Sequence, residues 1–74
     1  MAVATTVDPD WQFMVNQVTR ILEKVGAESV YVERHTPRCP EGYVITAHTK
    51  DHIYEAAGFD LPHLTEQMRD RLAS

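Results

Sequence analysis

The first patterned stretch of the chain runs from Trp11 to Val25. Trp11, Met14, Val15, Val18, Ile21, Leu22 and Val25 recur three and four residues apart, and at 100° per residue they share an arc of about 120°. That is the stripe of a helix with one face on a core. Asp8 precedes it as a cap, Pro9 suits the first helical position, and Asp10 favours the positive end of the helix dipole. Gly26 is placed to end the helix in a left-handed conformation. The spacing predicts a helix over 9–25. Phe13 falls outside the stripe, roughly opposite its centre. Either residues 1–7 or another helix cover it, or it is an exposed aromatic anchor for a partner.

Val30 and Val32 then alternate with Ser29, Tyr31 and Glu33, the period of a half-buried strand over about 28–34. A second strand is expected over about 42–48. Pro37 and Pro40 disfavour helix and interior pairing between them, so residues 35–41 read as a stiffened loop. Thr49 is placed to cap a short helix through about Ala57, with Gly58 at its end and Phe59 after it. Asp60 is placed to cap a last helix, with Pro62 in its first turn and Leu61, Leu64, Met68 and Leu72 on its inner face.

The expected architecture is a short flexible arm (1–7) followed by a single α+β domain (8–74) of order α-β-β-α-α. A two-stranded antiparallel hairpin packs on helices. The expected core is Trp11, Val15, Val18, Leu22, Val25, Val30, Val32, Ile45, Ile53, Phe59, Leu64, Met68 and Leu72. A lone hairpin is marginal in water and leaves both edges unpaired. Those edges suit strand addition by a partner or joining of two hairpins in a homodimer.

Composition narrows the function classes. The chain has 74 residues, 43% of them hydrophobic and 24% charged, with a net charge of -4. That is a globular composition, and a domain of this size buries only roughly 60% of its unfolded surface. No apolar run approaches the ~20 residues that span a bilayer. A single cysteine excludes an intramolecular disulfide framework. A reduced thiol and the lack of a signal-peptide pattern point to the cytoplasm. The acidic balance argues against a strongly basic nucleic-acid binder. Only residues 34–52 are locally basic, with Arg34, Arg38 and Lys50 against Glu41 and Asp51.

Three constellations could carry chemistry. His35, Cys39, His48 and His52 offer the imidazole and thiolate donors that zinc prefers, in a spacing without a C-x2-C pair. Solvated histidines and a small loop cysteine explain the same residues. Cys39 as a nucleophile would need an oriented base and an anion-stabilising site, and nothing else in the sequence marks either. No phosphate-binding glycine loop occurs, since Gly26, Gly42 and Gly58 stand alone.

The stretch Ile53 to Leu64, with Gly58 as turn glycine and Ile53, Ala57, Phe59 and Leu64 as buried positions, resembles a helix-turn-helix. The resemblance covers about a quarter of the chain. It implies a DNA-binding regulator whose second helix would use His63, Arg69 and Arg71, beside the acidic Asp60, Glu66 and Asp70.

The leading expectation is a small non-enzymatic regulator, adaptor or inhibitor that binds a macromolecular protein partner. Small acidic proteins of this kind include many phage-encoded inhibitors. Its candidate contact residues are Phe13, Arg34, Arg38 and Tyr43, with no cofactor and no membrane. The DNA-binding regulator and a zinc-organised module are the alternatives.

Overall fold

The computed structural model describes residues 8–74. Among them the chain forms α1 (Pro9–Glu23), β1 (Ser29–Thr36), β2 (Cys39–His48), β3 (Ile53–Gly58) and α2 (Leu61–Ala73). The three strands make one antiparallel sheet in the order β1-β2-β3. The α+β class and the two flanking helices agree with the sequence reading. The two-stranded hairpin and the middle helix do not. Residues 1–7, expected to be an arm, lie outside the described residues.

Local chemistry fixes both helices. The Asp8 carboxylate accepts from the backbone N–H groups of Asp10 and Trp11. Gly26, at φ 108°, closes α1. Its N–H donates to the Glu23 carbonyl and that of Ala27 to the Leu22 carbonyl, the paired bonds of a Schellman ending. Asp60 caps α2 through the His63 N–H.

The predicted helix over 49–57 is replaced by a tight turn and β3. Thr49 caps as expected, but it caps a turn: its Oγ1 accepts from the His52 N–H, and its own N–H donates to the His52 carbonyl. The helical reading rests on Thr49 as a cap and Gly58 as an end. The structure follows the other period, with Tyr54 and Ala56 inward and Ile53, Glu55 and Ala57 outward. Pairing with β2 satisfies six residues' worth of backbone that a helix would have satisfied alone, and it gives the sheet its third strand. Ile53 and Phe59, expected in the core, are instead 69% and 74% exposed.

The predicted loop over 35–41 shrinks to the two residues Pro37 and Arg38. Pro37 supplies the fixed φ that a tight turn needs. The strands on either side pair irregularly between Arg34 and Thr36. His35 there has φ 57°, and its Nδ1 lies 3.0 Å from the Pro40 carbonyl oxygen. Pro40 is tolerated because it sits in this bulge, away from a regular ladder.

Both helices pack on one face of the sheet. Val18, Leu22, Ala27, Ile45, Ala47, Leu61, Leu64 and Met68 form the buried cluster. They run in the same direction: Trp11 of α1 stacks on Tyr43, which pairs with Gly58, whose neighbour is Leu64 near the start of α2. Further along, Arg71 donates to the Glu55 carbonyl. The opposite face carries Tyr31, Glu33, Val44, Thr46 and Glu55, with no helix of the described residues over it.

Candidate functional site

The structure distributes the four predicted contact residues over three places. Arg34 and Tyr43 lie opposite each other on β1 and β2 and hold α1. The Arg34 guanidinium sits 4.4 Å from the centre of the Trp11 ring. Tyr43 stacks on the same ring at 5.8 Å and 16°. Arg34 also meets the Asp8 carboxylate at 3.4 Å. The Trp11 backbone N–H, with help from Arg34, holds the Asp8 carboxyl below its ordinary pKa. These residues fasten the start of α1 to the sheet.

Arg38 is on the other side of the sheet. Its Nη1 donates to Glu55 Oε2 at 2.6 Å and its Nη2 to Glu55 Oε1. Glu55 stands opposite Thr46. On a straight ladder Arg38 would lie roughly 26 Å along β2 from that level. The hairpin tip therefore bends back over the open face. Cys39 Sγ, 4.0 Å from the Gly58 carbonyl oxygen, marks the same bend. Val44, on this same face, is only 3% exposed although it points away from both helices. The ion pair lowers the pKa of Glu55 and raises that of Arg38.

The histidine–cysteine group is dispersed. Cys39 lies at the level of Tyr43, and His48 is five strand positions beyond, roughly 17 Å away. His52 rests against Tyr54 and His48 against Tyr31. Among the described residues no cluster of metal-ligating side chains forms. The helix-turn-helix resemblance loses its first helix to β3. Its proposed cations also separate: Arg69 faces α1, whereas Arg71 reaches back to β3. His63 pairs with Gln67 on the exposed side of α2.

Phe13 is 63% exposed and stands on the rim of a groove between the two helices. The groove has a volume of about 330 Å³. Val18 and Leu61 form its floor, with Phe13, Met14 and Ile21 on one wall and Pro62 and Thr65 on the other. Met14 and Ile21 are each 37% exposed. The sequence placed them in the core stripe of α1. They sit at one edge of that stripe, and the same 100° arithmetic puts Phe13 further out on the same side. Phe13, off that stripe, is the sequence's one signal for this surface, and it does not show the groove's second wall.

Comparison of the chain with protein-family models, with curated proteins and with solved structures gave no match in any of the three. The fold and groove define a small α+β domain with an apolar channel along a helix pair. No helix of the described residues is long and apolar enough to cross a membrane.

Proposed function

We propose that the chain is a non-enzymatic binding module that docks a protein partner through the groove between α1 and α2. One observation carries this reading. Three large apolar side chains, Phe13, Met14 and Ile21, stand open to solvent in a line along a single groove. A small domain with little apolar surface to spare gains nothing in its own stability from leaving them there. Aromatic residues at the edge of such channels act as anchors. The groove extends along two turns of each helix, from Phe13 to Ile21 and from Leu61 to Arg69, roughly 12 Å. That matches the i, i+3/i+4, i+7 anchor spacing of a helix laid in a groove.

The test is quantitative capture on immobilised chain from an extract of the cells that encode it. Replacement Phe13→Ala should lower the affinity for the retained protein by more than about 1 kcal/mol. It should change stability by less than ~0.5 kcal/mol, because the ring is exposed. Equal retention by both proteins contradicts the reading.

A further inference from the structure

The charges around the groove differ in sign from the molecule as a whole. The chain carries -4, yet Arg69 lines the groove itself, and Arg20 and Lys24 line an adjoining hollow that shares Phe13, Gln17 and Ile21 with it. Glu66 is the one acidic side chain that lines the channel among the described residues. Helix ends attract cations in any case. None of the three is in a salt bridge among the described residues, whose ion pairs are Arg34–Asp8 and Arg38–Glu55. The two helices run the same way; Arg20 lies in the last turn of α1, Lys24 caps its end and Arg69 lies past the middle of α2, so all three stand toward the C-terminal end of the helix pair. The other end is apolar, with Phe13, Met14, Leu61 and Pro62.

We infer that the partner segment is an acidic amphipathic helix. Its apolar residues at i, i+3/i+4 and i+7 fill the channel, and carboxylates at one end meet Arg20, Lys24 and Arg69. The inference rests on the protein-docking reading and adds the chemistry of the partner. A basic helix would place like charges together at the cationic end and is disfavoured there. A second copy of this chain is a poorer occupant. Its own groove face offers Arg20, Lys24 and Arg69 against the single acidic Glu66, so two copies face to face bring like charges together.

Panning a displayed library of random helix-forming 16-residue peptides on the full chain tests this. Selected peptides should carry apolar residues at helical spacing and an excess of Asp and Glu. Binding should fall at least tenfold with Phe13→Ala and with Ile21→Asn. The double replacement Arg20→Glu, Lys24→Glu should turn the selection toward Lys and Arg. Selection that depends on Phe13 but shows no acidic excess overturns the acidic partner and leaves the docking reading standing. No Phe13-dependent selection overturns both. Selection seen only after removal of residues 1–7 assigns the groove to the chain's own amino terminus and overturns the inference.

Discussion

At the residue scale, a few side chains do more than their type suggests. Trp11 rests against both the Arg34 guanidinium and the Tyr43 ring, so a cation and an aromatic that looked available to a partner are occupied in fixing α1. A sequence lists Arg34 and Tyr43 as exposed-looking polar residues of a strand; only the register that sets them opposite each other shows the stack. Gly42 is a second case. It is buried at the bend of the first hairpin, and a Cβ there would press on the Gly58 carbonyl oxygen and come within 2.7 Å of Cys39 Sγ. The obstacle is partly backbone, so it yields only if β3 moves. Gly42→Ala should therefore cost about 1–3 kcal/mol, the usual penalty for overpacking. Denaturant unfolding followed by the fluorescence of Trp11, the chain's one tryptophan, would measure it. An unchanged midpoint would mean that the bend is not close-packed.

At the scale of elements, both helices were legible because each carries complete local instructions: a cap, a proline in the first turn and an apolar stripe. The strand β3 was not. Its alanines and the cap-like Thr49 are compatible with helix, and the choice is made by β2, whose second edge needs a partner. The first hairpin was misread for a similar reason. Two prolines three residues apart disguise a two-residue turn whose bulge accommodates the second of them. The bent tip of this hairpin makes its own prediction. Arg38 clamps it to Glu55, and the pair depresses the pKa of Glu55. A depressed carboxylate contributes stability above its unfolded pKa, and that contribution is lost as pH falls through the folded value. The clamp should thus hold at neutral pH and release in acid, below the ordinary range of a glutamate. The methyl resonances of Val44, buried on the same face as the clamp, should shift over that window in an NMR titration. Glu55→Gln should produce the released spectrum at neutral pH. A Val44 signal insensitive to both would show that the tip is held by other contacts.

At the scale of the whole molecule, the domain has two layers, a helix pair on a three-stranded sheet. A chain of this length has a total stability of roughly 4–11 kcal/mol, and the buried cluster of Leu22, Ile45 and Met68 supplies its centre. The apolar side chains left outside that cluster are therefore informative. Ile53 and Phe59 are single exposed residues on and after β3, a common surface feature. Phe13, Met14 and Ile21 differ because they line one channel. Phe13 was legible in the sequence as a residue off the stripe. The groove it borders was not, because its second wall comes from α2, some fifty residues later, and depends on the two helices running side by side.

The docking claim is tested most directly by a photo-crosslinking amino acid placed at position 13 and, as a control, at position 33 on the opposite face of the sheet, in the cells that encode the protein. The account predicts a discrete adduct with another protein from position 13 and none from position 33. The absence of an adduct at position 13, adducts of equal yield from both positions, or an adduct of twice the chain's own mass would contradict it.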